Sequence, residues 1–425
     1  MSNVSTNHDD RWIQTPLISP AEWGLDPDLI FLNHGSFGAC PLGIRSLQQQ
    51  VLDQLERSPV RFMLEKLPQL LGQAREAMSH FLNADPEGLI FVSNASEGVM
   101  TALSSISWRA GDEIILSHDS YPACRHMLTV LAERYGLVLK VAKTPFGGDP
   151  STWANEVLRS FDAERSPRTR LALIDHITSP TALIFPAQEL VHWARGHGIL
   201  SLVDGAHAPG QLEVNLLELA PDFYTGNAHK WLMSPKSSAV LYCGPELRHQ
   251  LQPLVISHGY LAHEADRFHA LFDWTGTRDY SATCVLPDTL SWIPEKGLTW
   301  GDLRLRNQQL TRSARELISQ TLWGDSLPPL PPHSVIAQMA AIPLPPPLGD
   351  RARLETQGTH RVKSAAASAP LHPLQAWLNR EGFEVPIIET VHGTFLRISA
   401  QAYNSFNQYE ALSDRLNHAL QSGIR

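Results

Sequence analysis

Cysteine is scarce in this sequence. The 425 residues include only four cysteines, which lie far apart and form no C-x-x-C pair: Cys40, Cys124, Cys243 and Cys284. A disulfide framework or a zinc site needs a closer or more regular spacing, so the pattern argues against both and favours free, reduced thiols. Reduced thiols are typical of cytoplasmic proteins, and we expect that compartment.

An excess of positive charge is also missing, and so are long apolar runs. The 34 lysines and arginines are outnumbered by 43 aspartates and glutamates, which gives a formal net charge of -9 and no basic run. Nucleic acid and membrane are therefore poor partners, and a small molecule is the expected one. The N-terminus has neither a basic start nor an apolar stretch, and no run of about 18 apolar residues occurs, so we expect no secretory signal and no membrane span.

The stretch from Leu202 to Trp231 contains the most informative residues. A short apolar run ends at Asp204, as a buried parallel strand does where its carboxyl end opens onto a crevice. Further on, a second apolar piece leads to His229, Lys230 and Trp231. A lysine between these two rings is partly desolvated, which lowers its pKa toward the range where the amine is nucleophilic. Such a lysine can form a Schiff base.

The same stretch offers the groups that pyridoxal 5'-phosphate (PLP) needs. Lys230 supplies an amine for the aldehyde and Asp204 a carboxylate for the pyridinium nitrogen, while His207, Asn227 and His229 supply polar contacts for the phenolate and phosphate. An acid at a strand end or a lysine beside an aromatic residue is by itself common in proteins without catalytic roles. Together, with D-x-A-H and H-K-W, they resemble the class V aminotransferase family, and within it the isopenicillin N epimerase-like branch.

The resemblance assigns the phosphate to a helix start. The apolar run Leu89 to Val92 is followed by Ser93-Asn94-Ala95-Ser96, which suits a helix N-terminus, and such an end presents free N–H groups to an anion. Composition alone would describe only a capped helix. In the family the cofactor phosphate binds here, which implies contacts from Ala95 and Ser96.

Further contacts are implied at other loops. An aromatic ring covers the cofactor in relatives, and either Tyr121 or His118 is the candidate here. Ser179 stands where cysteine desulfurases carry an asparagine, which suggests a contact to the phenolate oxygen. The FLNHGSFGACP loop from Phe31 resembles one that closes a side of the active site. The G-T loop at Thr277 resembles one that reaches the neighbouring subunit's phosphate, which implies a homodimer.

Near the C-terminus, R-x-S-x-x-x-Y-N begins at Arg397. Its position on a strand would also fit a plain ion pair at a sheet face. In the family this arginine binds the α-carboxylate of the substrate, for which the guanidinium fork is well shaped. The substrate is accordingly expected to be a small amino acid or a peptide-like molecule.

Alternating strand and helix patterns predict an α/β fold with a mostly parallel sheet and right-handed crossovers. The resemblance implies PLP-dependent fold type I, with a seven-stranded sheet in a large domain and a small α+β C-terminal domain. We place an N-terminal arm at 1–30, the large domain at 31–300 and the small domain at 301–425. Smaller predictions are a helical break near Ser58-Pro59, a loop over 351–373, a strand through 385–388 and a last helix from about Tyr409.

For the reaction, Lys230 is the natural base for the Cα proton, and Asp204 keeps the ring able to accept electrons. The resemblance favours an isopenicillin N epimerase-like isomerase. A C–S lyase and an aminotransferase remain alternatives, and a non-catalytic PLP-binding protein is a further one. Desulfurase chemistry is disfavoured because it uses a cysteine in the C-terminal part, and no cysteine follows Cys284.

Overall fold

A computed structural model describes residues 10–263, 267–350 and 371–424. Contacts divide the chain into two compact units. The larger comprises 35–300 and 329–335, and the smaller comprises 1–34, 301–328 and 336–425. The domain borders proposed from the sequence stay a prediction, and the predicted loop over 351–373 lies almost wholly outside the described residues.

The larger unit is built on a seven-stranded sheet with the strand order β2-β8-β7-β6-β5-β3-β4. All of its pairings are parallel except those of β8, which runs antiparallel to β2 and β7. The prediction of a mostly parallel seven-stranded sheet is therefore confirmed. Numbered in chain order, its strands are β2 (Leu89–Val92), β3 (Glu113–Ser117), β4 (Val138–Ala142), β5 (Thr169–Asp175), β6 (Leu200–Asp204), β7 (Phe223–Asn227) and β8 (Ala239–Cys243).

Four strands of this sheet are buried along their whole length because both faces of the sheet are covered. Every residue of β2, β3, β7 and β8 is buried. Such continuous burial is expected of a parallel sheet between helices, and it explains why these strands lack a polar alternation. The helices of this unit include α1 (His34–Phe37, which starts at the border), α2 (Leu42–Arg57), α3 (Pro59–Arg61), α4 (Leu67–Phe81), α5 (Ala95–Ser104), α6 (Pro122–Tyr135), α7 (Trp153–Glu164), α8 (Ala187–Gly196), α9 (Leu216–Leu219), α10 (Arg267–Asp273), α11 (Ser281–Cys284) and α12 (Leu286–Glu295).

The predicted helical break at Ser58-Pro59 is confirmed. Helix α2 ends at Arg57, and Ser58 has the non-helical angles φ -157° and ψ 72°. Proline restricts the residue before it and lacks an N–H, which favours a helix end at this place. A π-helical turn, Phe62–Lys66, then leads into α4.

The site lies where the direction of chain progression along the sheet reverses. From β3 the chain passes outward to β4, and it returns to β5 on the other side of β3 before continuing to β6 and β7. The carboxyl ends of β3 and β5 therefore border a topological switch point, where crevices form in open α/β sheets. Strands β5, β6 and β7 end at Asp175, Asp204 and Asn227, which places three polar side chains at this edge.

The smaller unit contains two small sheets. Strand β1 (Ile30–Phe31) pairs with β10 (Phe383–Glu384) in parallel, and the order of the other sheet is β11-β12-β9. The latter's strands are β9 (Met339–Pro343), β11 (Ile387–Thr390) and β12 (Gly393–Ser399), and the unit's helices are α13 (Trp300–Trp323, which starts at the border), Pro346–Gly349, Pro373–Arg380 and Phe406–Ser422.

Two predicted element borders in this unit are wrong. The strand expected through 385–388 begins only at Ile387, because Pro386 has no N–H to donate to a sheet. The last helix starts at Phe406 and not near Tyr409, since Ser405 and Gln408 form a capping box that starts the helix earlier. Among the described residues, each helix is too short or too polar to cross a bilayer.

Candidate active site

A cavity of about 400 Å³ opens at the carboxyl ends of the central strands. It brings together most of the residues that the sequence singled out. Its lining consists of Ser36, Phe37, Asn94, Ala95, Ser96, Tyr121, Asp175, Ile177, Ser179, Asp204, Ala206, His207, Asn227, His229 and Lys230.

Lys230 is in contact with His207, whose ring is in turn held by Trp231. Its Nζ lies 3.2 Å from Nε2 of His207, and the indole N–H of Trp231 donates to Nδ1 of the same histidine at 3.3 Å. An indole nitrogen only donates, so Nδ1 carries no proton and a neutral His207 is protonated at Nε2. That proton points at the lone pair of Lys230. The arrangement suits a neutral amine, which is the nucleophilic form of lysine.

His229 is held in one tautomer on the other side of the lysine. Its Nδ1 lies 2.9 Å from the backbone carbonyl of Ser238, which can only accept, so Nδ1 is the protonated nitrogen. Burial lowers the pKa of His229 to about 4, and the ring is neutral at pH 7. His229 is therefore a neutral polar residue of the cavity lining beside Lys230.

Asp204 is buried and held by two donors. The N–H of Ala206 donates to Oδ1 at 2.9 Å, and the thiol of Cys124 donates to Oδ2 at 3.5 Å. Burial raises the pKa of Asp204, while the hydrogen bonds from Ala206 and Cys124 act in the opposite direction. A carboxylate in this setting gains strongly from a cationic partner.

The start of α5 provides the predicted anion end of the cavity. Asn94 caps the helix by accepting the N–H of Glu97 at 3.0 Å. Asn227, at the end of β7, accepts the N–H of Ala95 at 2.8 Å, which leaves its amide NH2 group for another partner. A Cβ on Gly98 would lie 2.2 Å from Oγ1 of Thr225, so only glycine lets α5 pack this closely on β7.

The loop before α2 is packed against the lysine segment. Gly38 has φ +71°, and a Cβ there would lie 2.2 Å from the carbonyl oxygen of His229 and 3.0 Å from Cα of Lys230. Lys236 donates to the carbonyl of Gly38 at 3.0 Å. These contacts fix Phe37 at the cavity, where the residue is 69% exposed.

Three predicted residues are not part of this lining. His118 lies 3.4 Å from Asp119 through Nε2, and Tyr121 is the aromatic residue of that loop in the cavity wall. Thr277 is exposed on its loop. Arg397 is buried on β12 of the smaller unit.

Several lining residues were missed by sequence reasoning. Asp175 follows an apolar run that was recognised as a strand, so the same strand-end rule that identified Asp204 could have found it. Phe37 lies in the glycine loop that was recognised without a role for its ring. The contacts of Cys124 and Trp231 depend on tertiary packing and have no local sequence signal.

The set of donors fits PLP. An amine, a buried carboxylate, a helix N-terminus and an aromatic ring face one cavity, as a cofactor with an aldehyde, a pyridine nitrogen and a phosphate requires. Such a lysine and carboxylate at the carboxyl edge of a mostly parallel sheet define a PLP-dependent enzyme of fold type I.

The chain belongs to the class V aminotransferase family, whose family model, described as Aminotransferase class-V, matches residues 54–321. Isopenicillin N epimerase of Streptomyces clavuligerus is 33% identical over 409 residues, which cover 92% of this chain and 95% of that protein. A probable chloroplastic L-cysteine desulfhydrase of Arabidopsis thaliana is 29% identical over 94% of this chain and 85% of its own length. The resemblance inferred from the motifs is thereby confirmed.

Solved structures show the same fold. A mutant of C-DES with glycine covalently linked to its PLP cofactor matches with a TM-score of 0.75 at 19% identity, over 94% of this chain and 99% of that one. The protein is a PLP-dependent class V enzyme.

Proposed function

We propose that this enzyme removes the Cα proton of an α-amino acid with Lys230 as the base. The contact that carries this proposal is the one between Nζ of Lys230 and Nε2 of His207, because it favours the neutral amine that both Schiff-base formation and proton transfer need. When bound, PLP withdraws electrons from Cα and so makes that proton acidic.

The other site residues would hold the cofactor and the substrate. Asp204 would bind the pyridine nitrogen, and Ser96 with the NH2 of Asn227 would bind the phosphate, to which Ala95 contributes through its bond to Asn227. Tyr121 would cover the ring. His207 and His229 would supply polar contacts to the cofactor. The assignments of Ser179 to the phenolate, of Thr277 to a neighbour's phosphate and of Arg397 to the substrate carboxylate rest on the family resemblance.

Epimerisation is the favoured outcome of the proton transfer. Its support is the similarity to isopenicillin N epimerase, which extends over nearly the full length of both chains. Lys230 keeps the proton that it removes from one face, so inversion requires a second acid that delivers a proton to the opposite face of Cα, and the product is then the other stereoisomer. Such a substrate is an amino acid or a peptide that carries a free α-amino group.

β-Elimination at a C–S bond is the second candidate. The similarity to an L-cysteine desulfhydrase supports it, and its first step uses the same single base, Lys230. The thiol or sulfenate leaves from Cβ, and the remaining fragment hydrolyses to pyruvate and ammonia.

One experiment tests the base and the reaction class together. The PLP-loaded protein, expected to absorb at about 410 to 430 nm, is incubated in deuterated water with L- and D-amino acids, cysteine, S-alkylcysteines and their sulfoxides. Deuterium at Cα with inverted stereochemistry supports epimerisation, pyruvate supports the lyase, and a pyridoxamine spectrum supports transamination.

Lys230→Ala should abolish all of these products. Borohydride reduction should attach a pyridoxyl group to the wild-type peptide that contains Lys230, and the added mass should be absent from Lys230→Ala. Lys143→Ala, at an exposed lysine, is the matched control and should behave as wild type. Deuterium exchange at Cα that persists in Lys230→Ala would contradict the role of Lys230.

A further inference from the structure

Asp175 is a second buried carboxylate beside Asp204. It is the last residue of β5, and its Cα is the direct partner of the Asp204 Cα across the parallel pair β5–β6. Neighbouring partners in a parallel pair project to the same face, so the two carboxylates lie side by side. Only 3% of the Asp175 surface is exposed, and the side chain lines the cavity.

Asp175 anchors the loop that carries Tyr121 through two hydrogen bonds. The hydroxyl of Ser120 donates to Oδ2 of Asp175 at 2.6 Å, and the backbone N–H of Tyr121 donates to the same carboxyl group. Ser120 is itself buried, so this bond has no competition from bulk water. Asp175 therefore fixes the position at which the Tyr121 ring meets the cavity.

The charges around Asp175 favour its neutral form. The groups that face it are Asp204 from β6, Asp119 and Ser120 from the loop after β3, and the neutral thiol of Cys124 from α6. Burial, followed by the negative charge of Asp204, raises the pKa of Asp175 to about 8. Two adjacent buried carboxylates cannot both ionise at low cost, so the pair shares one proton.

The proton belongs on Asp175. Asp204 receives the Ala206 N–H and the Cys124 thiol, and Asp175 receives Ser120 and the Tyr121 N–H, so hydrogen bonds stabilise either anion. Asp175 has the further negative neighbour Asp119, whose charge opposes ionisation. The asymmetry leaves one negative charge in the pair, on the residue that would meet the pyridine nitrogen.

We propose that Asp175 is a positioning residue that acts as a protonated carboxylic acid: it anchors the Tyr121 loop and leaves Asp204 as the single anion at the ring-nitrogen end of the cavity. The role in PLP binding rests on the proposed function, whereas the protonation of Asp175 belongs to the protein without cofactor.

The first test compares two substitutions in PLP binding. Asp175→Asn copies the shape and neutrality of the protonated acid and keeps an oxygen for Ser120, so its Kd for PLP should stay within about threefold of wild type. Asp175→Ala leaves Ser120 and the Tyr121 N–H without their acceptor, which should weaken binding at least about tenfold and reduce the visible circular dichroism of the bound cofactor. Asp175→Asn that binds PLP as poorly as Asp175→Ala would overturn the proposal.

The second test uses the protein without PLP. An acid whose folded pKa is raised stabilises the fold below its unfolded pKa near 4, and this contribution is lost as the pH rises to about 8. Asp175→Asn lacks that loss, so its Tm should rise relative to wild type between pH 5 and pH 8. Asp53→Asn, at an exposed site, is the control and should leave the pH profile unchanged.

Parallel Tm profiles for wild type and Asp175→Asn would contradict a protonated Asp175. The two tests also separate this inference from the proposed function. If the protein does not bind PLP, the proposed function is contradicted, but the Tm comparison still tests the protonation of Asp175. If the protein binds PLP but wild type and Asp175→Asn have parallel Tm profiles, only the inference about Asp175 is contradicted.

Discussion

Asp204 acts in the proposed site through its charge, and its neighbours determine how that charge is held. The Ala206 N–H and the Cys124 thiol occupy one carboxylate oxygen each, at 2.9 and 3.5 Å. Neither donor carries a charge, so the anion remains the dominant partner for a cation. In the proposed site, a protonated pyridine nitrogen would supply that cation and offset the cost of burying Asp204.

Asp204→Asn should separate cofactor binding from turnover. The substitution keeps the size of the side chain and removes its charge, so PLP should still bind while turnover falls at least about a hundredfold. Kd for PLP and kcat are measured on the same preparation. Full turnover in Asp204→Asn would show that this carboxylate does not sustain electron withdrawal by the ring.

At this scale the sequence predicted the reactive residues better than their surroundings. Asp204 and Lys230 were identifiable because each follows a short apolar run and stands among polar residues. The partner role of Asp175 depends on the register of β5 and β6, and that pairing joins segments without a local signal. The thiol contact of Cys124 was likewise hidden, although spacing correctly predicted four free cysteines.

Among the elements, the glycine loop before α2 has the closest link to the reactive lysine. Backbone from Gly38 packs directly on the backbone of His229 and Lys230, and Lys236 fixes the same turn. The loop and the lysine segment therefore fix each other's positions, and with them the position of Phe37.

Gly38→Ala should damage both stability and cofactor binding. A Cβ would lie 2.2 Å from a backbone oxygen at a position with φ +71°, and the strain costs on the order of 1 to 3 kcal/mol in addition to the clash. Denaturant unfolding and PLP titration should both show the loss. Gly43→Ala in α2, whose nearest neighbour would be 4.0 Å away, is the control and should be neutral or slightly stabilising. Equal stability of the two variants would contradict a tight loop.

The element borders show where sequence patterns succeed. Strands of the main sheet were predictable because burial on both faces yields continuous apolar runs. The late strand start after Pro386 and the early helix start at Phe406 depend on a missing N–H and on a capping box, which a hydrophobic pattern does not register. The π-helical turn after Arg61 has no pattern of its own either.

For the whole molecule, the exposed apolar surface is the main unexplained feature of the larger unit. Leu254, Val255 and Ile256 are about half exposed and Leu261 is 89% exposed, close in sequence to the Thr277 loop. A cavity of about 710 Å³ reaches the same segment at His258 and Gly259, and its other lining residues are largely apolar and include Leu64, Leu67 and Trp274. Large exposed apolar patches commonly mark interaction surfaces.

We therefore expect a homodimer in which this surface is covered and Thr277 reaches the partner's phosphate site. Light scattering should give twice the mass of the 425-residue chain. Leu261→Asp should dissociate the dimer and weaken PLP binding, because a buried carboxylate in an apolar interface is costly. Leu217→Asp, at a leucine that is 56% exposed on α9, is the matched control and should leave the mass unchanged. A monomeric wild type with full activity would contradict the interface.

Mixed dimers test the contribution of Thr277 directly. Thr277→Ala alone should weaken PLP binding at both sites, and Lys230→Ala alone should abolish turnover. In a mixed dimer, the site with an intact Lys230 receives an intact Thr277 from the Lys230→Ala subunit, so that one site should regain wild-type PLP affinity and turnover. A neighbour's residue can restore a site only if it reaches that site, because the Thr277→Ala subunit supplies no threonine of its own. Mixed dimers that bind PLP no better than Thr277→Ala would place the function of Thr277 within its own subunit or outside the site.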